Sequence, residues 1–379
     1  MEEDFHTNYF EKKALLIQRN DPEYFSSLLT MSDMADYLER KDTVYPHIRM
    51  VKDGIQLPNE LYTKNTIIRD QVIEVIDNEK LFSLFEDGAS VVCQQLQITF
   101  PVLYEFTRLL SNYFKLNVGL NTYLTPAVAQ AFDPHYDTHD VFILQVYGSK
   151  MWRLYDMPVP SPIKKFDKKT WAMPEPTLEV ELKQGDTLYI PRGLVHDATT
   201  ASNTSLHITM GLSVETWVDI FNSINLQSAS IESFRKTFNW SQVTEEELKN
   251  TIHKLALELV ENVDYNKLLA DIKQKHERVN YEVHSGRFND LLNHKNLDNN
   301  SVVFLRKQAI TRLTEDVHSI NLAIRDKDVK FRLSEKSLIN EMLITDQFSI
   351  GEMQTKYTGL SVLKAVKTLI KHGVLGIKS

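Results

Sequence analysis

The sequence predicts a mainly β domain with helical decoration on its N-terminal side, followed by an α-helical region and a mixed tail. Three observations predict it. Between residues 116 and 214, six short runs rich in β-branched and aromatic residues are separated by turn signals, not by helical patterns. From about residue 216 the apolar residues recur at helical spacing. After about residue 305, strand-like and helical runs alternate. Strands in series without helices between them argue for an antiparallel barrel or sandwich.

Residues 1–115 alternate short helical patterns with short strands. The run from Ser32 to Leu38 reads as a capped helix start followed by an amphipathic turn, and Phe106 to Leu110 with Tyr113 as a second helix with one apolar face. The expected strands of the β region are Leu116–Leu124, Val141–Tyr147, Met151–Tyr155, Leu178–Leu182, Thr187–Ile190 and Ser205–Val214. Gly148-Ser149, Pro158 to Pro162, Gly185-Asp186 and Pro191-Arg192-Gly193 are the turns between them. In the helical region Thr244 and Glu247 have capping-box spacing, and Leu248, Ile252, Leu255 and Leu259 share one helix face. A further helix is expected over Tyr265 to Arg278, and the polar stretch Asn293 to Asn300 reads as a linker. In the tail, Phe348-Ser349-Ile350 precedes a helix, and Ser361 to His372 forms another that Gly373 ends. The expected partition is therefore 1–215, 216–304 and 305–379.

Bulk properties narrow the function classes. A chain of 379 residues exceeds one ordinary core, and 42% apolar with 25% charged residues is typical of a soluble globular protein. No apolar run is long enough to span a bilayer. Met1-Glu2-Glu3-Asp4 is acidic and is not followed by the apolar core of a secretory signal, so a cytoplasmic location without membrane partners is expected. Cys93 is the only cysteine, which excludes an internal disulfide and a cysteine-based zinc cluster. A formal charge of -8 gives no support to nucleic-acid binding by the whole chain. Residues 351–379 hold five lysines against one glutamate, but no Arg/Asn cluster of a base-reading helix, so these lysines read as a solvated face.

The chemistry lies in two segments. The first runs from Asp133 to Gln145. If it is a strand, His135 and Asp137 point to one face, because side chains alternate with period two. An imidazole and a carboxylate so placed can grip one cation, and a third ligand must come from elsewhere. The second segment runs from Gly185 to His196: a turn opens a strand, Pro191 and Gly193 end it, and His196 follows. His135, Asp137 and His196 together have the composition of the facial triad of non-haem Fe(II) oxygenases, which leaves sites for a chelating 2-oxo acid and for O2. Alone, either segment is commonplace. In this order, within a β region, they are specific.

Lys150 follows the Gly148-Ser149 turn, on the strand expected to pair with that of His135 and Asp137. Inside a barrel it needs an anionic partner, such as the distal carboxylate of 2-oxoglutarate; in a turn it is a surface lysine. His139 shares the face of His135 and either approaches the metal or bonds within the barrel. His207 and Thr209 sit on a late strand where either can line the pocket. His6, His47, His253, His276, His284, His294, His318 and His372 have no ligand-like spacing.

Four stretches, Asn121 to Pro126, the His135 segment, Gly148 to Tyr155, and Gly185 to His196, resemble the JmjC ribosomal oxygenases. The resemblance follows the order of motifs from about residue 20 to 215 and extends loosely to the end. It implies a cupin-type double-stranded β-helix, an α-helical dimerisation region that makes a homodimer, and a C-terminal winged-helix domain. It implies Fe(II) at His135, Asp137 and His196 as catalytic and metal residues, with 2-oxoglutarate and O2 as co-substrates. Lys150, Asn121, Tyr123 and Thr209 are the implied co-substrate contacts. Gly211 departs from relatives that carry serine two residues beyond the threonine. The implied reaction hydroxylates the β-carbon of an arginine or histidine in a ribosomal protein, releasing CO2 and succinate. A hydroxylase of a biosynthetic peptide or small molecule uses the same chemistry. A regulatory protein that keeps the β core as a scaffold and binds nucleic acid through its tail is the reading from another class; an acidic pocket mouth would favour a basic peptide.

Overall fold

The computed structural model describes residues 2–167, 171–239, 241, 243–279, 286–306, 312–317, 319–324 and 327–378. His284 and His318 lie outside these residues. The chain forms two compact units, Met1–Ile220 and Phe221–Ser379.

The first unit contains helices α1 (Glu2–Asn8), α2 (Met31–Leu38), α3 (Asn78–Glu86) and α4 (Pro101–Phe114). Its strands are β1 (Leu15–Ile17), β2 (Ile48–Lys52), β3 (Ile55–Gln56), β4 (Thr63–Ile68), β5 (Gln71–Ile76), β6 (Ser90–Cys93), β7 (Asn117–Thr125), β8 (Asp140–Tyr147), β9 (Ser149–Leu154), β10 (Leu178–Lys183), β11 (Thr187–Ile190), β12 (His196–Thr199) and β13 (Ser205–Ser213). Eight of these make one antiparallel sheet in the order β1-β11-β8-β13-β7-β6-β2-β3, and a smaller sheet has the order β10-β9-β12. Val141, Ile143, Leu188 and Ile190 of the large sheet pack in one buried cluster with Trp152, Leu154 and Leu182 of the small one.

Alternation sorts each central strand into two faces. On β13, Leu206, Ile208, Met210 and Leu212 enter the main core with Val118, Leu120 and Leu124 of β7 and the apolar sides of α2, α3 and α4. His207, Thr209 and Gly211 therefore face the other way, toward the small sheet, as do Asn121 and Tyr123. Fully burying one such leucine is worth about 1.5–3 kcal/mol, which pins the register and so the direction of every polar neighbour.

Several local expectations change. The cap of α2 is Thr30 rather than Ser32, because Thr30 and Asp33 exchange side-chain to backbone hydrogen bonds. The strand β9 pairs with β10 and β12, not with the His135 segment. A single residue, Gly148, turns the chain from the large sheet into the small one. Its φ of +63° is left-handed, and a Cβ there would lie 2.1 Å from the Thr204 carbonyl oxygen, so only glycine fits without a backbone shift. The short strand β12 has no counterpart among the expected strands.

The second unit begins within helix α5 (Trp217–Gln227) and contains α6 (Glu245–Asn262), α7 (Tyr265–Val279) and α8 (Arg287–Asn293). Thr244 and Glu247 form the expected capping box. The expected apolar face of α6 is not covered: Leu248 and Ile252 are exposed, while Leu255 and Leu259 are half-buried. The stretch read as a linker is partly ordered, with a 3-10 turn at His294–Asn296. Beyond it lie β14 (Val302–Leu305), β15 (Arg312–Glu315), β16 (Ser319–Ile324), β17 (Lys327–Arg332), α9 (Lys336–Ile344), β18 (Gln347–Ser349), α10 (Ile350–Lys356), α11 (Val362–Lys371) and β19 (Leu375–Ile377). They form the sheets β18-β14-β19 and β15-β16-β17, which share one core with α9, α10 and α11. A buried ion pair between Arg306 and Asp290 ties α8 to this core, and Asp290 also accepts from the Ile377 backbone at 3.0 Å.

Candidate metal centre

His135 and Asp137 lie in an irregular extended segment just before β8, not in a strand. A β-bridge brings that segment to the third residue: His135 and His196 exchange backbone hydrogen bonds of 3.1 and 2.8 Å. The turn before β12 is tied to the same segment, with the Gly193 amide donating to the Asp137 carbonyl at 3.1 Å. Buried Asp140 accepts from the Tyr189 hydroxyl at 2.6 Å and from the Arg192 amide at 3.4 Å. Arg192 in turn pairs with Glu11 at 2.7 Å. Two loops far apart in sequence are thus bound together by backbone and buried polar contacts.

One ligating atom each from His135, Asp137 and His196 lies within 4.8 Å of the others, with His196 Nε2 3.8 Å from Asp137 Oδ2. His135 Nδ1 faces the Asp133 carbonyl at 2.8 Å, and His196 Nδ1 faces the Leu194 carbonyl at 3.0 Å. A carbonyl oxygen only accepts, so each Nδ1 carries the proton and each Nε2 presents its lone pair to the centre. Burial, followed by the neighbouring His135, lowers the His196 pKa to about 4, keeping the ring neutral and available as a ligand at pH 7. The set is two imidazoles and one carboxylate gathered around a common point, which suits a divalent first-row metal with open positions.

These residues form one wall of a cavity of about 330 Å³, also lined by Tyr123, Lys150, Trp152, His207 and Thr209. Lys150 is 3% exposed, and its ammonium donates to Thr125 Oγ1 at 2.9 Å. Among the described residues no carboxylate pairs with it, and burial lowers its pKa to about 7. His207 stacks on Tyr123 at 4.9 Å, and among the described residues its buried Nδ1 has no hydrogen-bond partner. A buried amine without an anion, beside an unpartnered imidazole nitrogen, fits a small dicarboxylate.

Of the residues singled out from sequence, His135, Asp137, His196, Lys150, Tyr123 and Thr209 meet in this cavity. Asn121 shares the Tyr123 face of β7 but lies outside the cavity walls, where its side chain accepts from the Gln95 amide at 3.0 Å. His139 is not in the ligand group. Its ring covers Gly211, and a Cβ on Gly211 would lie 2.8 Å from it. The His139 ring thus takes the space that a side chain at position 211 would need. Arg49, Phe132 and Lys165 also line the cavity, and no local motif marks them.

Residues 95–220 match the JmjC domain family. The chain carries a JmjC domain. It is 34% identical over 224 residues to the bifunctional lysine-specific demethylase and histidyl-hydroxylase NO66 of Aedes aegypti, a match covering 58% of this chain and 34% of that protein. It is 34% identical over 218 residues to ribosomal oxygenase 2 of Mus musculus, covering 55% of this chain and 44% of that one. The chain thus spans less than half the length of these relatives. The fold is similar to that of ycfD of E. coli, with a TM-score of 0.54, 16% identity, and coverage of 100% of this chain and 98% of that one. A second structure, of YcfD, a ribosomal oxygenase, in complex with cobalt and 2-oxoglutarate, aligns with a TM-score of 0.52 and 15% identity. The β domain is therefore cupin-like, and the JmjC domain holds every residue of the candidate metal centre.

Proposed function

We propose that this protein is an Fe(II)- and 2-oxoglutarate-dependent oxygenase that hydroxylates an amino-acid side chain of a protein substrate. The observation that carries the reading is the convergence of His135, Asp137 and His196 beside the buried, anion-deficient Lys150. His135 and His196 supply Nε2 and Asp137 supplies a carboxylate oxygen to the metal. Lys150, backed by Thr125, binds the distal carboxylate of 2-oxoglutarate, and Tyr123 and Thr209 flank it. Bound iron, with 2-oxoglutarate and O2, supplies the oxidising power for C–H hydroxylation. The chain's own residues orient the reactants, keep the ligand imidazoles in one tautomer, and exclude water through the apolar walls of Trp152, Val141 and Ile143.

A ribosomal protein is the proposed substrate, by analogy with the names of the relatives, with arginine or histidine as target. No helix among the described residues is long and apolar enough to cross a membrane, and a cytoplasmic location is part of the proposal. The partition into 1–215, 216–304 and 305–379 remains part of the proposal. The middle segment is assigned to homodimerisation. The exposed Phe221, Leu226, Ile252 and Leu257 on α5 and α6 support this, since an apolar face of that kind is covered by a partner. The last segment, with β14 between β18 and β19 and three helices on one core, is assigned as a winged helix.

Incubation with Fe(II), 2-oxoglutarate and ascorbate tests the reaction. Succinate should accumulate with the wild type and not with His135→Ala. Mass spectrometry of ribosomal proteins from cells with and without the gene should show one protein lighter by an oxygen atom in the deletion.

A further inference from the structure

The walls of the cavity carry an uneven set of charges. The carboxylates lining it are Asp137 and Asp197. Asp137 belongs to the metal centre. Asp197 is 3% exposed and is neutralised by a bidentate pair with Arg153, at 2.8 and 3.0 Å. Against these stand Lys150 at the base and two further cations, Arg49 and Lys165.

Arg49 is fixed from below by the sheet. It pairs with Val92 of β6, Val92 pairs with Tyr123 of β7, and Tyr123 pairs with His207 of β13, so the four residues form one row across the large sheet. The flanking Ile48 and Met50 enter the main core, so Arg49 emerges on the cavity face. Two strand spacings place it about 10 Å from Tyr123 along that row. Its guanidinium is gripped by neutral oxygens alone. Gln56 Oε1 accepts at 3.0 Å, and Gln94, with its amide oriented to satisfy both groups, accepts from Nε at 2.6 Å and Nη2 at 2.8 Å. Such contacts hold the fork in place without cancelling its charge. Lys165 is exposed at the open edge of the same cavity. Among the described residues neither cation pairs with a carboxylate.

We infer that the mouth of this cavity is a carboxylate-recognising subsite, built on Arg49 with Lys165, for an acidic side chain of the peptide that presents the target residue. The inference rests on the hydroxylase reading and sharpens its substrate class. A lysine- and arginine-rich ribosomal tail meets like charge here, whereas an aspartate or glutamate near the target meets a pre-oriented guanidinium. The same charge distribution leaves no free carboxylate among the described cavity walls to receive a target guanidinium.

The test uses the full chain loaded with Co(II) and 2-oxoglutarate, and two synthetic peptide pools with a central histidine or arginine. One pool carries aspartate and glutamate in its flanks and the other lysine and arginine. Fluorescence anisotropy should show the acidic pool bound about fivefold more tightly at low salt, with the difference shrinking as salt rises. Arg49→Gln should erase the preference, and Arg49→Lys, which keeps the charge, should retain part of it and so controls for misfolding. Equal binding of the pools, tighter binding of the basic pool, or an acidic preference that survives Arg49→Gln overturns the inference. Uptake of Co(II) and 2-oxoglutarate is measured in the same wild-type sample. If it is present while the pools are not discriminated, the mouth assignment alone fails; if it is absent, the hydroxylase reading fails.

Discussion

The base and the mouth of one cavity are built on opposite principles. At the base, His196 and Lys150 are buried and His135 and Asp137 half-buried, and their directions are set close to the backbone: the two ligand histidines by carbonyls of Asp133 and Leu194, and Lys150 by its place on β9 and the Thr125 hydroxyl. At the mouth, Arg49 is half-buried and held by glutamine side chains, and Lys165 is exposed. A pre-oriented base suits a reaction that needs fixed geometry, and a less enclosed mouth suits recognition of a segment of another chain. Perturbing the base should therefore have large effects on cofactor uptake, and perturbing the mouth small effects confined to the substrate.

The largest effect is expected at the ligands. His135→Ala or Asp137→Ala should lower turnover more than about a hundredfold, since changes one shell further out already cost 10–100-fold. Succinate release measures it, and near-normal turnover in both variants would break the division between base and mouth.

Lys150 comes next. Lys150→Ala should weaken 2-oxoglutarate binding by about 10- to 100-fold, the loss of a charge-assisted contact. Its pKa adds a pH signature. Burial lowers the folded value to about 7 from 10.5, so between those values the unfolded chain holds more protons and the ligand-free protein gains stability as pH rises. A bound dianion favours the ammonium, so 2-oxoglutarate affinity should fall as pH is raised above about 7. Calorimetry across that range should show proton uptake on binding, and affinity independent of pH would assign Lys150 to the structure alone.

Gly211 tests the packing that supports the base. Gly211→Ser puts a Cβ 2.8 Å from the His139 ring, and overpacking of this kind costs about 1–3 kcal/mol. Thermal melting should show the loss, and His139→Ala in the same chain should restore most of it. The smallest effect is expected for Lys165→Ala, an exposed mouth charge worth about 0.2–1 kcal/mol. It should shift KM for a peptide substrate while kcat stays level.

The same contrast explains what the sequence revealed. The ligands were legible because His135 and Asp137 are two residues apart and His196 closes a Gly-Pro-Gly-punctuated segment. The pair does not share a strand face as the spacing suggests: the segment is irregular, and a β-bridge to His196 does the positioning. The pairing of β9 is not legible because Gly148 looks like a hairpin turn, while its φ of +63° sends the chain into the other sheet. No local pattern marks the strand β12, because His196-Asp197-Ala198-Thr199 is short and carries no apolar alternation. The place of Arg49 is not legible in the sequence. Its position follows from a four-strand register linking residues 49, 92, 123 and 207, and no local pattern encodes such a row. In the second unit the periodicity located α6 and α7 correctly, but periodicity does not say what covers an apolar face.

Anaerobic titration of the purified protein with Fe(II), followed by 2-oxoglutarate, tests the convergence of the three ligands most directly. The wild type should bind a single Fe(II) and, on adding 2-oxoglutarate, develop the visible charge-transfer absorption of a chelated 2-oxo acid, and His196→Ala should lose it. Wild-type protein that takes up no iron, or takes it up equally well without His196, would contradict the account.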